Sequence, residues 1–234
     1  MEEHYSLGEL QKLAQDRLSP SITNPNYLVL RRRAQLISDW MEQIPGEGLR
    51  VLDIGGRYQP YRPLMNGRAR QYVAIDVVRT LLVDVVGRGE QLPFGPDTFD
   101  VVIATQVFEY FPEPRVAALQ IHRVLKPGGF LIMSVAAVCP RAVEQEHWRF
   151  LPAGLKFVLS DFSWLKIVPE VSSVGGSFRL ANWSVSILAR YILLGKVLYY
   201  TVVPAMNVIG LGLEHAFPIK NDELTGNYSI LARK

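Results

Sequence analysis

An α/β fold, with a parallel sheet covered by helices on both faces, is predicted from the alternation of strand-like and helix-like segments along the chain. Two neighbouring segments that read as strands, near residues 49–54 and 71–76, carry Asp53 and Asp76 at or next to their carboxyl ends. A pair of glycines follows the first strand, as a tight turn into the next crossover requires. Right-handed crossovers bring the carboxyl ends of such strands to one edge of the sheet, which is where ligands bind.

The remaining segments continue this alternation. An N-terminal helical arm is expected at about residues 6–18 and 26–44, and a further helix at about 114–125. The other strands are expected near residues 82–86, 99–104, 129–135, 165–168 and 228–231.

Composition and charge exclude several classes of protein. The formal net charge is only +3, and the basic run Arg31 to Arg33 reads as a solvated helix face, because no basic stripe with interleaved aromatic residues continues elsewhere. Nucleic-acid binding is therefore not expected. Cys139 is the only cysteine, so no internal disulfide can form, and the segment Met1 to His4 lacks the pattern of a signal peptide. A cytoplasmic location is expected.

The carboxylate of Asp76 suits a nucleoside ligand. A carboxylate only accepts hydrogen bonds, so at this strand end it can take both vicinal hydroxyls of a ribose. The glycine fingerprint of dinucleotide-binding folds, G-x-G-x-x-G, is broken here, because Arg57, Tyr58 and Gln59 follow Gly56. A nicotinamide-dependent oxidoreductase therefore stays only as a minor alternative.

Three further motifs follow in order along the chain. They are Gly87-Arg88-Gly89-Glu90-Gln91-Leu92-Pro93-Phe94, Thr98-Phe99-Asp100-Val101-Val102-Ile103-Ala104 and His122-Arg123-Val124-Leu125-Lys126-Pro127-Gly128-Gly129-Phe130. With the first two strands, this set resembles the class I S-adenosylmethionine-dependent methyltransferases, in particular the broad group that acts mostly on small molecules. The resemblance is strong from about residue 49 to 135. It implies a Rossmann-like sheet of seven strands, mostly parallel, with the last strand inserted antiparallel between its neighbours.

The resemblance implies S-adenosylmethionine as the cofactor. Asp53 and the backbone of Gly55 would face its amino acid moiety, Asp76 would hold its ribose, and the region of Leu92 would flank the adenine pocket. No metal site is expected. The expected cofactor-binding residues are Asp53, Gly55, Gly56, Asp76, Val77, Gly89, Glu90, Leu92, Thr105 and Gln106.

Two arginines depart from the pattern of this family. Arg88 stands where relatives commonly have an aspartate that accepts from the adenine amino group, and an arginine cannot accept a hydrogen bond. Glu90 or a backbone carbonyl could replace that acceptor, so we do not expect the Arg88 side chain to contact the adenine amino group. Arg57 stands where relatives usually have glycine. We expect Arg57 to turn outward to solvent, with pairing to the cofactor carboxylate as the alternative.

The segment 139–155 leaves the fifth strand at the cofactor edge, which makes it the best place for acceptor chemistry. Histidine changes its charge close to neutral pH, so His147, with Glu144 or Glu146 nearby, suits a general base for a hydroxyl or amine. The alternative is that this segment only packs a loop onto the domain. Tyr110, after the fourth strand, lies where many relatives have histidine and would line the acceptor pocket. The expected catalytic residues are His147, Glu146 and Tyr110.

Residues 180–213 are unusually apolar, with only Arg190 and Lys196 charged. The uncharged run after Lys196 contains Pro204 and is shorter than the roughly 20 residues of a membrane span. By resemblance, methyltransferases insert substrate-covering elements at this position. We favour helices that cap the acceptor pocket or bury a homodimer contact, and peripheral contact with a membrane is the alternative.

These observations predict one domain over residues 1–234, since 234 residues of which 49% are hydrophobic suffice for one sizeable core. We divide it into an N-terminal helical arm (1–45), a cofactor-binding core (46–138) and an acceptor-side region (139–234). The expected activity is methyl transfer to an oxygen, or in second place a nitrogen, of a small acceptor that is partly hydrophobic or lipid- or sugar-linked, in the cytoplasm or at the inner membrane surface. The alternative is a non-catalytic S-adenosylmethionine-binding protein that docks on a partner through its apolar segment.

Overall fold

The computed structural model describes residues 5–141, 143–217 and 221–234. The first four residues, considered above for a signal peptide, lie outside the described residues. The helices are α1 (Leu7–Leu18), α2 (Tyr27–Gln43), α3 (Pro114–Val124), α4 (Pro152–Val158), α5 (Ser173–Leu188) and α6 (Gly195–Ala216). The strands are β1 (Leu49–Ile54), β2 (Ala69–Asp76), β3 (Val85–Val86), β4 (Phe99–Thr105), β5 (Leu125–Ala136), β6 (Trp164–Pro169) and β7 (Asn227–Arg233).

These strands form one sheet in the order β3-β2-β1-β4-β5-β7-β6. β1 pairs parallel with both β2 and β4, and β7 lies antiparallel between β5 and β6. Asp53 is opposite Ala74 of β2 and Ile103 of β4. The predicted seven-stranded, mostly parallel Rossmann-like sheet is confirmed, and the carboxyl ends of β1, β2, β4 and β5 meet at one edge.

The sheet is buried on both faces, because alternate residues of each central strand point to opposite sides. On one face, Val51 and Val101 pack in a cluster with Trp40 of α2. On the other face, Leu52 and Val102 belong to a larger cluster that includes residues of α3 and α4. The edge that carries the strand ends is therefore held by core packing from both sides.

Three element boundaries differ most from the sequence expectation. The ladder of β3 is limited to Val85–Val86, because the Asp84 carboxylate instead accepts the backbone N–H of Ala74 at 2.8 Å. β5 begins at Leu125, which pairs with Phe99 before a register shift. The apolar insertion begins earlier than expected, at Ser173, where the Ser172 hydroxyl caps α5 by accepting the N–H of Val174.

The helices α5 and α6 form an antiparallel hairpin that docks on the N-terminal arm. Asn182 of α5 donates to the side-chain oxygen of Asn207 on α6 at 2.8 Å. Asn207 in turn donates to the backbone oxygens of Ile22 and Asn24, at 2.7 and 3.0 Å. The amide of Asn207 is satisfied by these bonds, whereas Oδ1 of Asn182 accepts no hydrogen bond from the described residues. The bonds of Asn207 fix where α6 lies on the body of the protein.

Candidate active site

Two carboxylates lie at the carboxyl edge of the sheet. Asp53 is 3% exposed and accepts a hydrogen bond from the Tyr72 hydroxyl at 2.7 Å. Asp76 is 8% exposed, and its Oδ1 accepts from the backbone N–H of Val78 at 2.8 Å. Burial, opposed by the Tyr72 hydroxyl and helped by the charge of Asp76, raises the pKa of Asp53 to about 7. The pair offers acceptor oxygens to a ligand that donates hydrogen bonds.

The turn between these strands requires glycine at two successive positions. Gly55 has φ of +77° and donates its N–H to the carbonyl of Ile75 at 2.8 Å. A Cβ on Gly56 would lie 2.8 Å from the backbone oxygen of Asp53 and 2.9 Å from its Cγ. Any larger residue at Gly56 would displace the Asp53 carboxylate, so the turn holds that group in place.

Arg57 does not turn outward to solvent, and that expectation is wrong. Its guanidinium lies 3.3 Å from Oδ1 of Asp76, and its side chain is 24% exposed. The physical reason is the pair of neighbouring carboxylates, which attracts a cation to this edge. Both Arg57 and Val78 bind Oδ1 of Asp76, so Oδ2 accepts no hydrogen bond from the described residues. This oxygen is the one to which the expected ribose hydroxyl would donate.

The N-terminal arm covers this turn. The guanidinium of Arg17, on α1, lies 4.4 Å from the centre of the Tyr58 ring. The ring of Tyr5 meets the same ring edge-on at 6.2 Å. Cation–π and edge-to-face contacts of this kind attach α1 to the loop after β1. The sequence indicated the arm but not this contact.

The residues expected around adenine lie beside β2 and β3. A Cβ on Gly89 would lie 2.4 Å from a ring carbon of Phe111, so Gly89 permits this close approach. Leu92 is buried in the main core, and Val77 is 51% exposed. Arg88 and Glu90 line an open groove of about 440 Å³, together with Gln91, Pro112, Glu113 and Val116. That Arg88 avoids the adenine amino group stays a prediction.

At the end of β4, Thr105 is partly exposed and Gln106 adopts φ of +53°. The backbone N–H of Gln106 donates to Ser134 O at 2.7 Å. Its side-chain oxygen accepts from Asn227 at 3.1 Å, and its amide nitrogen donates to the Ser134 hydroxyl at 3.2 Å. These bonds hold the strand end rigidly at the place expected beside the cofactor.

The three residues expected to be catalytic lie in two adjoining segments. Burial, together with the negative charges of Glu146 and Glu109, raises the pKa of Tyr110. The Glu146 carboxylate accepts from Arg149 at 2.6 Å. The backbone N–H of His147 donates to the carbonyl of Glu109 at 2.8 Å, and the His147 residue is exposed. The structure thus brings Tyr110 and Glu146 together and ties the His147 loop to the segment after β4.

Glu109 is a titratable residue at this edge that sequence analysis missed. It is 2% exposed, its Oε1 accepts the backbone N–H of Ala136, and its Oε2 accepts no hydrogen bond from the described residues. Burial raises the pKa of Glu109 to about 7. A signal was present, since a lone carboxylate between Phe108 and Phe111 is unusual in an apolar stretch.

Arg179 was also missed. It is 7% exposed and donates to the side-chain oxygens of Asn26 at 2.9 Å and Asn227 at 3.1 Å. No carboxylate in the described part of the chain forms an ion pair with it. Through Asn227, which also holds Gln106, Arg179 links α5 to the end of β4. No sequence pattern singled out this arginine within the apolar segment.

Nothing among the residues that the structure describes groups three or more histidine, cysteine or acidic side chains in a way that could hold a metal ion.

The two buried carboxyl groups predict how stability depends on pH. Asp53 and Glu109 have pKa values of about 7 in the folded protein, above the ordinary values of 3.8 and 4.5. Between those values the unfolded chain has released protons that the folded protein still binds, so the free energy of unfolding falls as the pH rises towards 7. We expect the free energy of unfolding, measured by urea titration, to fall less for Glu109→Gln than for wild type as the pH is raised from about 5 to 7.5. Parallel pH profiles for the two proteins would show that Glu109 is already ionised in the native state.

Comparison with known proteins agrees with this geometry. A model of a methyltransferase domain matches residues 52–133, which span β1 to β5. The chain is similar to the ubiquinone biosynthesis O-methyltransferase of Cereibacter sphaeroides, with 28% identity over 200 residues that cover 70% of this chain and 78% of that protein. It is 31% identical over 100 residues to 2-methyl-6-phytyl-1,4-hydroquinone methyltransferase 1, chloroplastic, of Oryza sativa, covering 35% of this chain and 29% of that protein.

The fold is shared with a solved S-adenosylmethionine-dependent methyltransferase from Archaeoglobus fulgidus. The TM-score is 0.53, the sequence identity is 16%, and the match covers 95% of this chain and 99% of that one. The glycine turn, the free oxygen of Asp76 and the buried Asp53 carboxylate fit the hydrogen-bond donors of S-adenosylmethionine. The resemblance seen in the sequence is confirmed: a methyltransferase domain matches residues 52–133, and the matches support an S-adenosylmethionine-dependent methyltransferase.

Proposed function

We propose that this enzyme methylates a hydroxyl oxygen of a small, partly hydrophobic acceptor that carries the hydroxyl on an aromatic ring. The observation that carries the proposal is the composition of the acceptor side. Tyr110, Glu146 and His147 lie in the segments after β4 and β5, and Arg179 ties the apolar helical hairpin to the same edge of the sheet through Asn227 and Gln106. The relatives named above for ubiquinone biosynthesis and for a phytyl hydroquinone support an acceptor with an aromatic ring and an apolar chain.

S-adenosylmethionine, when bound, supplies a methyl group on a positively charged sulfur, which is a good leaving group. The task left to the protein is alignment and exclusion of water, and alignment alone can contribute about 7–11 kcal/mol. Asp76 and Asp53 would hold the ribose and the amino acid moiety, and the end of β4 at Gln106 would lie beside the cofactor. Helix α1 covers the turn through Arg17. We propose that His147 accepts the hydroxyl proton as the acceptor oxygen attacks, with the negative charge of Glu146 and the phenol of Tyr110 beside it.

The organisation of the chain is proposed on the same basis. Residues 46–138 hold the cofactor, residues 139–234 shape the acceptor side, and the arm 1–45 covers both. We place the enzyme in the cytoplasm, where the cofactor is available. The apolar hairpin could cover the acceptor pocket or form a homodimer contact, and these two uses of its surface compete.

Methyl transfer to a designed acceptor tests this function. The protein is incubated with S-adenosylmethionine carrying a deuterated methyl group and with 4-octylcatechol, and the product is analysed by mass spectrometry. We expect an O-methylated product, and a higher kcat/KM for 4-octylcatechol than for catechol, since the alkyl chain adds apolar burial. Methylation of 4-octylaniline with a higher kcat/KM than 4-octylcatechol would overturn the preference for oxygen.

The role of Asp76 gives a separate prediction. Loss of a charged hydrogen-bond partner costs about 1.5–3 kcal/mol, so Asp76→Ala should weaken binding of S-adenosylhomocysteine by about ten- to a hundredfold in calorimetric titration. Asp161→Ala is the control, because Asp161 is half-exposed and pairs with Arg115 away from the site. Unchanged affinity in a folded Asp76→Ala protein would remove this carboxylate from the cofactor site.

A further inference from the structure

The tip of the α5–α6 hairpin, residues 187–200, presents an apolar surface to solvent. Leu193 is fully exposed, and Tyr191 and Leu194 are 81% and 69% exposed. Isolated exposed apolar residues are normal, but a contiguous group of this size marks a binding surface. The other exposed apolar residues of the tip are Ile187, Leu188, Ile192, Val197 and Tyr200.

By length and composition, helix α6 is long and apolar enough to cross a membrane. It is the one such helix among the described residues. Only 17% of its most apolar window is buried within the protein. One stripe of α6 is nevertheless committed to the domain, since Val203, Asn207 and Gly210 are buried and the Asn207 amide binds the backbone of the N-terminal arm. A spanning orientation would break these hydrogen bonds in a medium that offers no replacement. The helix can therefore lie on a bilayer but not cross it while the domain stays folded.

The charges of the tip indicate what kind of surface it binds. Arg190 and Lys196 are both exposed, and no acidic residue occurs between Glu170 and Glu214. Tyr191 and Tyr200 add amphipathic rings, which favour the boundary between headgroups and hydrocarbon. Cations beside apolar and aromatic side chains match a bilayer that contains anionic lipids.

A second copy of this chain fits the same surface less well. In a two-fold symmetric interface each tip would face an identical tip. The cations Arg190 and Lys196 of one copy would then face a second tip that has the same two cations and no carboxylate to neutralise them. Like charges brought together in a desolvated interface oppose association.

We propose that residues 187–200 insert into the headgroup region of an anionic bilayer and hold the acceptor side of the enzyme at the membrane surface. The inference deepens the proposed function, because an acceptor with an apolar chain resides in a bilayer and would reach the site without crossing water. The tip can bind lipid whether or not the enzyme methylates such an acceptor, so the two proposals can be tested separately. Arg179, near the start of α5, connects the base of this hairpin to the strand ends at Asn227 and Gln106, so the element that carries the tip is attached to the site.

Sedimentation with vesicles tests the proposal. Full-length protein is mixed with vesicles of phosphatidylcholine alone or of phosphatidylcholine with about 30% phosphatidylglycerol, at low and high salt. We expect binding to the anionic vesicles that weakens as salt screens the two cations. The double variant Leu193→Glu/Leu194→Glu should bind about ten- to a hundredfold more weakly, because two apolar side chains no longer enter the bilayer. Phe157→Glu is the matched control, since Phe157 on α4 is 72% exposed and lies outside the tip.

Two further measurements separate the outcomes. Titration with S-adenosylhomocysteine should give the same affinity for all three proteins, which shows that the tip variant is folded, and methylation of a water-soluble catechol should be unchanged by it. If the protein binds vesicles but transfers no methyl group to the catechols, the result counts against the proposed function alone.

Wild-type protein that stays in solution with anionic vesicles, or a tip variant that binds them as well as wild type, would overturn the membrane proposal. A dimer in sedimentation velocity that dissociates on Leu193→Glu, without vesicle binding, would assign the tip to a second copy instead.

Discussion

Replacing His147 with glutamine is expected to lower turnover by about a hundred- to ten-thousandfold, the range typical of a lost general base. Glutamine retains hydrogen-bonding capacity but cannot take up the proton of the acceptor hydroxyl. The affinity for S-adenosylhomocysteine should be almost unchanged, because Asp53 and Asp76, the carboxylates proposed to bind the cofactor, lie at other strand ends. Steady-state kinetics and calorimetry on one preparation measure both quantities.

His122→Gln is the matched control for this prediction. His122 lies on α3, where its ring meets Phe162 edge-on at 5.3 Å, and it has no place in the site. Its replacement should leave turnover near the wild-type value. Wild-type turnover in His147→Gln would reduce the loop to a packing element, whereas a large loss of cofactor affinity would place His147 in the cofactor pocket.

Removal of the Glu170 carboxylate should produce the largest loss of stability. The Arg33 guanidinium on α2 donates two hydrogen bonds to Glu170, at 2.8 and 2.9 Å, and both residues are at most 4% exposed. Ser134 of β5 and Ser229 of β7 donate to the same carboxylate at 2.7 and 2.8 Å. Glu170→Leu leaves the buried guanidinium without its counter-ion, so we expect a loss of about 3–5 kcal/mol in the free energy of unfolding, measured by urea titration near pH 7.

A double variant distinguishes loss of the pair from loss of packing. Arg33→Leu/Glu170→Leu removes both charges, so it should recover a large part of the stability that Glu170→Leu loses. Lys126→Gln breaks the half-exposed pair with Asp100 and should cost no more than about 1 kcal/mol. If Glu170→Leu were as stable as Lys126→Gln, the buried pair would not be a determinant of the fold.

The strand ends could be predicted from sequence because they depend on local patterns. An apolar strand that ends in glycine places Asp53, and the next crossover unit places Asp76, whatever the rest of the chain does. The position of β7 between β5 and β6 was predicted from the family resemblance, because the sequence pattern of a strand does not show which strands pair with it.

The residues that sequence analysis missed depend on partners far along the chain. Arg179 binds Asn26, which is 153 positions away. Arg33 is buried and binds Glu170, which is 137 positions away, so the expectation that Arg31 to Arg33 form a solvated helix face is wrong for Arg33. Arg57 was misplaced for a different reason: a glycine-rich turn gave no sign that a neighbouring carboxylate would draw its side chain inward. The apolar segment was recognised from composition, but only the fold shows that its tip is exposed while one stripe of α6 is buried.

A crystal structure of the protein with S-adenosylhomocysteine tests the central claim most directly. We expect the ribose to lie at the carboxyl edge of the sheet with a hydroxyl within about 3.2 Å of Oδ2 of Asp76. The amino acid moiety should lie against the backbone of the Gly55 turn and near the Asp53 carboxylate. A bound cofactor whose ribose makes no hydrogen bond to Asp76, or one that lies away from the ends of β1 and β2, would contradict the account.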